Sequence, residues 1–294
     1  MARAFVGPRA KVRRAQRKIE TLKRQFDAFI SANSYGVYSE FDPKTGDHIL
    51  RAYARSRVEE PPLIRWSIIV GEIAYNFRSA LDQAVCELAT ARNAPCDRTS
   101  FPIFPFGPRA KRHHDASGRS LNFNWESPAI RPLAPRHRRI IESVQPYHRT
   151  DADRIASPVG KRRRFFCLWL LHEMNNADKH RSLLELHPSP MESAVTVRSV
   201  TMETDWLLDY AAPVYDDAPI GWLRSPTPEQ VDVDGYLALQ IAFSDGDSMF
   251  RTWNVIQVLE WISRTVVDVL DDLELGRPRR TLPGSHSVPA WVWE

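Results

Sequence analysis

Residues 61–90 read PPLIRWSIIVGEIAYNFRSALDQAVCELAT, and this stretch predicts a long helix. Two prolines open it, where proline is tolerated because the first N–H groups of a helix have no partner within the helix. Apolar residues then recur every three or four positions, which places them on one face of the helix. That face consists of Trp66, Ile69, Ile73, Phe77, Ala80, Ala84 and Leu88. We expect this face to pack against the rest of the protein.

Polar residues interrupt this apolar face. Asn76 follows Ile73 by three residues and precedes Ala80 by four, so it is expected on the packing side. Arg78 and Asp82 are four residues apart and can contact each other across one turn.

A second amphipathic helix, predicted over residues 161–177, shows the same interruption. Phe165, Leu168 and Trp169 define its packed face, and His172, Asn176 and His180 continue that stripe. Buried amides and imidazoles cost free energy unless they find hydrogen-bond partners. We therefore expect the polar residues of the two helices to meet in one hydrogen-bonded network. Its predicted members are Asn76, Arg78, Asp82, Asn176, Asp178 and His180.

Two interpretations of this network remain open from the sequence. It can be purely structural, because Asn–Asn and Arg–Asp pairs fix the register of packed helices and cap helix ends. It can also be a functional site that uses acid–base chemistry. His180 would then carry the proton, while Arg78, Lys179 and Arg181 would bind an anion or stabilise developing negative charge.

The remaining roles in this hypothetical site follow from side-chain chemistry. Asp178 and Asp82 would orient the histidine and the arginine. The amides and the second imidazole would bind the substrate or fix the helices around it; they are Asn76, Asn175, Asn176 and His172.

The rest of the chain predicts an α+β fold. Further helices are expected at 10–31, 133–145 and 252–273, from apolar residues at helical spacing. A hairpin is expected at 35–57 around Asp42-Pro43-Lys44-Thr45-Gly46, and strands are expected within 183–244. The predicted architecture is a bundle of about four long helices with an antiparallel β-sheet inserted before the last helix. We expect one domain over 1–275 and a tail, 276–294, that contains proline and tryptophan.

Residues 93–132 are expected to form a long irregular connection. They are rich in Pro, Gly, Asn and Ser, with aromatic residues inserted in FPIFPFGP and LNFNW. Loops of this length are usually functional. The alternation of phenylalanine and proline predicts that the segment docks onto apolar helices rather than staying disordered.

Charge is unevenly distributed although the formal net charge is only +4. Two segments, 9–24 and 109–164, are strongly basic, whereas residues 165–294 are acidic. A basic segment is the first signature of nucleic-acid binding. RNA is therefore one expected partner of these two segments. The alternatives are an acidic partner, the acidic part of a second copy in a homodimer, or a solvated basic face without a partner.

Several classes of protein are excluded. The longest strongly apolar run, 165–171, is far shorter than the roughly 20 residues that span a bilayer, and no secretory signal opens the chain. Three widely spaced cysteines favour a reduced, cytoplasmic location. The motif HEMNN has Asn where a zinc protease needs its second His, and phosphate-binding glycine loops are missing from the sequence. We expect neither a metal ion nor a cofactor.

The two polar segments also carry a resemblance. The N-x-R-S-A-L-D pattern at 76–82 and the N-x-x-D-K-H-R pattern at 175–181 resemble those of a widespread family of uncharacterised bacterial proteins, and so do FPIF at 101–104 and QPY at 145–147. That resemblance implies no established activity. More loosely, the predicted bundle is similar to HEPN-type domains. This second likeness implies a metal-independent ribonuclease of a toxin or defence system that acts as a dimer.

Overall fold

A computed structural model gives the fold. It describes most of the chain, in the ranges 5–55, 60–108, 114, 120, 122–148, 163–180, 184–198, 205–209, 212–224, 232–244 and 253–277.

The first predicted helix is α1, Val6–Ala32. It begins four residues before the predicted start, because Pro8 lies in the first turn, where proline is compatible with a helix. All six residues of its predicted apolar seam are buried, at 8% exposure or less: Val12, Ala15, Ile19, Leu22, Phe26 and Phe29. The spacing of three and four residues therefore identified the packed face of α1.

The helix predicted at 61–90 is α2, Leu63–Thr90. Trp66, Ile73, Phe77, Ala80 and Ala84 of its predicted face are almost completely buried. The helix ends in a turn in which Asn93 has a positive φ of 56°, a conformation that asparagine tolerates better than most residues.

Three further helices are described after α2. Helix α3, Pro135–Ser143, starts on a proline and leads into a single turn of 3₁₀ helix, Pro146–His148. Helix α4 is Arg163–His180, and helix α5 is Val255–Leu275. The predicted stripe of α5 is fully buried at all five positions: Val255, Leu259, Ile262, Val266 and Val269.

Within the described residues, six strands form one antiparallel sheet. They are β1 (Tyr35–Phe41), β2 (His48–Ala54), β3 (Leu186–Arg198), β4 (Asp205–Leu208), β5 (Pro219–Arg224) and β6 (Asp232–Phe243). Their order across the sheet is β3-β6-β1-β2-β5-β4. The mixed content of helices and an antiparallel sheet confirms the α+β class. The hairpin β1–β2 occupies the middle of the sheet, so the sheet is not only an insertion before the last helix.

The register of the hairpin is set by its turn. Tyr35 pairs with Ala54 at one end and Phe41 pairs with His48 at the other. Within the turn, the Asp42 side chain accepts a hydrogen bond from the N–H of Lys44 over 2.9 Å, and Gly46 adopts a positive φ of 77°. Aspartate and glycine are the residues that such a turn favours.

Contacts divide the chain into two compact units. Unit 1 comprises residues 1–19, 71–182 and 258–294, and unit 2 comprises 20–70 and 183–257. In unit 1, α1 and α5 are joined by an ion pair between Arg9 and Asp271, at 2.6 Å. In unit 2, apolar side chains of the strands form one buried cluster that includes Val37, Leu50 and Leu239.

The cysteines differ from the sequence prediction. The turn after α2 reverses the chain, so Cys96 returns to within 4.9 Å of Cys86, measured between the Cα atoms, and the two form a disulfide. The third cysteine, Cys167, lies outside this disulfide and is buried. The disulfide therefore removes the argument from the wide spacing of the cysteines for a reduced location, because separation along the sequence does not measure distance across a chain reversal.

No helix in the described ranges is both long enough and apolar enough to cross a membrane.

Candidate functional site

The charged pair of α2 holds a buried peptide group of the irregular segment. Arg78 Nη2 lies 3.3 Å from Asp82 Oδ1, so the predicted contact across one turn is formed. The same Nη2 donates a hydrogen bond to the carbonyl oxygen of Phe101 over 2.5 Å, and the N–H of Phe101 donates to Asp82 Oδ1 over 2.8 Å. The Phe101 side chain is fully buried. Both polar groups of this residue's backbone are thus bound by one ion pair.

Gln145 binds the next part of the same segment. Its Nε2 donates to the carbonyl oxygens of Pro102 (2.8 Å) and Ile141 (2.9 Å), and its Oε1 accepts from the N–H of Phe104 (2.9 Å). Gln145 is completely buried, so water cannot replace these bonds. We call residues 96–106 the strap. The strap is held to α2 by Arg78 and Asp82, and to the end of α3 by Gln145.

Aromatic rings reinforce this attachment. The ring of Phe123 lies 6.0 Å from that of Phe104, 5.2 Å from that of Trp125 and 6.0 Å from that of Tyr147, measured between centroids. The angles between the ring planes are 85°, 81° and 62°, which are edge-to-face arrangements. The described parts of segment 93–132 therefore dock onto α3 and its following turn. FPIF and QPY belong to one packed unit with the polar residues of α2.

His172 of α4 lies close enough to Arg78 to be affected by its charge. Burial, followed by the positive charge of Arg78, lowers the pKa of His172 to about 4. Asn176 Nδ2 lies 2.9 Å from Nε2 of this imidazole and donates to it. His172 is therefore neutral near pH 7 and acts as a hydrogen-bond acceptor.

The two asparagines predicted to link the helices bond within their own helices. Asn76 Nδ2 donates to the carbonyl oxygen of Glu72 over 2.6 Å, and Asn176 donates to His172. In both cases the partner lies one turn earlier in the same helix, so neither amide donates to the other. Asn175, by contrast, is buried, with 7% of its surface exposed.

The remaining predicted site residues lie at the end of α4 and directly after it. The backbone of α4 continues to His180, but the side chains of Asp178, Lys179 and His180 are outside the described residues, as is all of Arg181. Their predicted roles stay predictions. In the described part of the chain, no group of three or more His, Cys, Asp or Glu side chains could hold a metal ion.

A second polar feature of unit 1 was only partly indicated by the sequence. Four arginines at and before α3 are exposed, and none forms an ion pair with a described carboxylate: Arg92, Arg131, Arg136 and Arg139. We call these four residues the arginine group. Arg131, Arg136 and Arg139 lie in the predicted basic segment 109–164, whereas Arg92 lies outside it, after α2.

Buried His137 shows that two members of this group, Arg136 and Arg92, bring their positive charges to the same place. Its pKa is lowered first by burial, then by Arg136 and then by Arg92. Arg136 Nε lies 3.3 Å from His137 Nε2, and Arg92 Nε donates to the carbonyl oxygen of Pro132 over 3.1 Å. Helix α3 begins here without a side-chain cap at Ala134, so the positive end of its dipole adds to the same field.

Comparison of the chain with protein-family models, with curated proteins and with solved structures found no match.

Proposed function

We propose that this protein binds RNA through the arginine group. We also propose that the polar cluster of α2 and α4, by which we mean Arg78, Asp82, His172 and Asn176, stabilises the fold rather than cleaving RNA. The observation that carries the proposal is the set of four exposed arginines without a carboxylate partner among the described residues. A cytoplasmic location is part of the same proposal.

Like charges brought together in this way repel one another. Arg92 and Arg136 both act on His137, so a bound anion at this place would reduce the repulsion. A chain of phosphates suits several guanidinium groups better than a single small anion does, since each contact also releases counterions from the nucleic acid. These arguments favour an RNA backbone as the ligand.

The chemistry of the polar cluster favours a structural role. Arg78 Nη2 is engaged by Phe101 and Asp82, and Nη1 has essentially no contact with solvent. A phosphate arriving from solvent therefore meets neither nitrogen. The pKa of His172 is about 4, whereas an efficient general base near neutral pH has a pKa close to 7, so His172 itself is suited to a structural hydrogen bond rather than to proton transfer.

A binding assay with matched variants tests the proposal. Fluorescence anisotropy with a labelled single-stranded RNA would compare the protein with the variant Arg131→Gln/Arg136→Gln. The control Arg65→Gln/Arg264→Gln removes two exposed arginines elsewhere and changes the net charge equally. We expect affinity to fall about tenfold or more only in the first variant, because each phosphate contact contributes separately. Equal affinities for all three proteins, or equal losses in both variants, would refute the assignment.

Metal-independent cleavage of RNA is a second candidate function. One observation favours it. Helix α4 places His172 close enough to Arg78 to be affected by its charge, and the same helix continues to His180. In that mechanism His180 takes the proton of the attacking 2′-hydroxyl, and Lys179 and Arg181 neutralise the transition state. The test is His180→Ala, read out as RNA integrity in buffer with chelator and as melting temperature. Sedimentation at several concentrations would test the homodimer that a HEPN-like enzyme requires.

A further inference from the structure

We infer that the Cys86–Cys96 disulfide is a redox-controlled latch that holds Arg92 in place and thereby sets the affinity of the arginine group for RNA. This inference rests on the proposed function and concerns the regulation of the same site.

The disulfide closes a loop that contains one member of the arginine group. Cys86 lies on α2, one turn beyond Asp82, and Cys96 begins the strap, at a sequence separation of 10 residues. Arg92 lies between the two cysteines, where the chain reverses after the end of α2. The cross-link therefore closes a ring of chain around Arg92, whose own N–H donates to the carbonyl oxygen of Ala89 over 2.9 Å.

The chain on either side of Cys96 contacts the segment before α3, once within the closed loop and once beyond it. Arg92 Nε donates to the carbonyl oxygen of Pro132 over 3.1 Å. The N–H of Ser100 donates to the carbonyl oxygen of Ala129 over 3.3 Å. Cys96 lies between these two points along the chain. With the disulfide intact, the chain is fixed between the two hydrogen bonds. Once it is reduced, residues 94–100 are held between the end of α2 and Phe101 by separate hydrogen bonds, such as the one from the N–H of Ala94 to the carbonyl oxygen of Ala89 over 3.1 Å; such bonds are individually weak in water.

The chemistry is an ordinary thiol–disulfide exchange. A dithiol reductant supplies two electrons and two protons; the S–S bond breaks, Cys86 and Cys96 become thiols, and the reductant becomes a disulfide. Both cysteines are only half-buried, whereas Cys167 is fully buried. Reagents in solution therefore reach the pair more readily than the third cysteine. In the cytoplasmic location proposed above, such a disulfide would be transient and redox-sensing.

The test compares oxidised and reduced full-length protein. Free thiols are counted by mass spectrometry after alkylation, and RNA binding is measured with and without dithiothreitol. We expect one free thiol in the oxidised protein and three in the reduced protein. We also expect RNA to bind about fivefold more weakly after reduction, corresponding to the loss of one phosphate contact. Cys86→Ser/Cys96→Ser should bind like the reduced protein in both buffers, and Cys167→Ala should keep the response. In Arg92→Gln, reduction should have little effect.

A second readout does not depend on RNA. Arg98 has 81% of its side chain exposed, and trypsin should cleave after it faster in the reduced protein and in the double-serine variant. Three free thiols in protein purified under air, or equal RNA affinity and equal cleavage in both redox states, would overturn the latch. If neither state binds RNA while cleavage still differs, the proposed function is wrong, and the latch controls the loop alone.

Discussion

The main-chain N–H of Phe101 donates a hydrogen bond to Asp82 Oδ1 over 2.8 Å. It attaches an irregular segment without helix or strand to the middle of a long helix. The buried Phe101 ring and the Arg78–carbonyl bond act at the same point. Asp82 is therefore expected to contribute to stability rather than to catalysis.

Removing the carboxylate of Asp82 should destabilise the protein. Asp82→Ala leaves the N–H of Phe101 and the guanidinium of Arg78 without this acceptor, and we expect the free energy of unfolding to fall by about 1–3 kcal/mol. The control is Asp97→Ala, since Asp97 is 73% exposed and its nearest basic group, in Arg98, is 3.9 Å away. Urea unfolding measures both. Similar values for the two variants would contradict the role of Asp82.

Gln145 should be more sensitive still. Gln145→Glu replaces the amide donor by a carboxylate that faces the carbonyl oxygens of Pro102 and Ile141. Because the site is fully buried, we expect a loss of about 3 kcal/mol or more, measured by urea unfolding. The exposed Gln16, which has a single bond to Ser263, provides the control Gln16→Glu. If Gln145→Glu were as stable as Gln16→Glu, the attachment of the strap would not depend on the amide of Gln145.

The low pKa of His172 predicts a specific dependence of stability on pH. The unfolded imidazole takes up a proton below about pH 6.5, whereas the folded one does so only near pH 4. The unfolded state binds more protons in this window, so stability falls as the pH is lowered from about 6.5 to 4, by up to about 3 kcal/mol.

His172→Gln should remove that part of the decrease. Unfolding free energies at several pH values would compare it with the protein and with His114→Gln, a variant at an exposed histidine. His137 also has a lowered pKa, and its contribution to the pH dependence of stability is the same in all three proteins. An unchanged dependence in His172→Gln would contradict the assignment.

RNA should change the titration of His137. Arg136 and Arg92 lower its pKa, so phosphates bound to these arginines should raise it toward the ordinary value. NMR titration of the imidazole C–H signals, with and without RNA, measures the effect. In Arg131→Gln/Arg136→Gln the RNA-induced rise should be smaller. A pKa of His137 that is unaffected by saturating RNA would place the RNA elsewhere.

Periodicity predicted much of the helical structure. The buried faces of α1, α2 and α5 follow from apolar residues three and four positions apart, and the contact between Arg78 and Asp82 follows from their spacing. These features depend on residues that are close in sequence. The hairpin was predicted for the same reason, since its turn contains the residues that the turn requires.

Features set by distant parts of the chain were not predicted. Strands were expected within 183–244, but β4 and β5 were not predicted individually, because with 4 and 6 residues they are too short for an alternating pattern to stand out. Strand β3 includes Pro188 and Pro190, which argue against a central strand but are tolerated at the edge of the sheet, where β3 lies. The hydrogen bonds of Arg78 and Asp82 to the Phe101 backbone could not be predicted, because they depend on the path of an irregular segment whose sequence has no periodicity. The Cys86–Cys96 pair was missed for the same reason.

The dependence of RNA affinity on salt tests the central claim most directly. For a single strand, the slope of log K against log salt concentration is about −0.7 for each phosphate neutralised. We expect Arg131→Gln/Arg136→Gln to have a slope about 1.4 units shallower than that of the protein, and Arg65→Gln/Arg264→Gln to keep the full slope. An identical slope in the protein and in both variants would contradict binding of RNA by the arginine group.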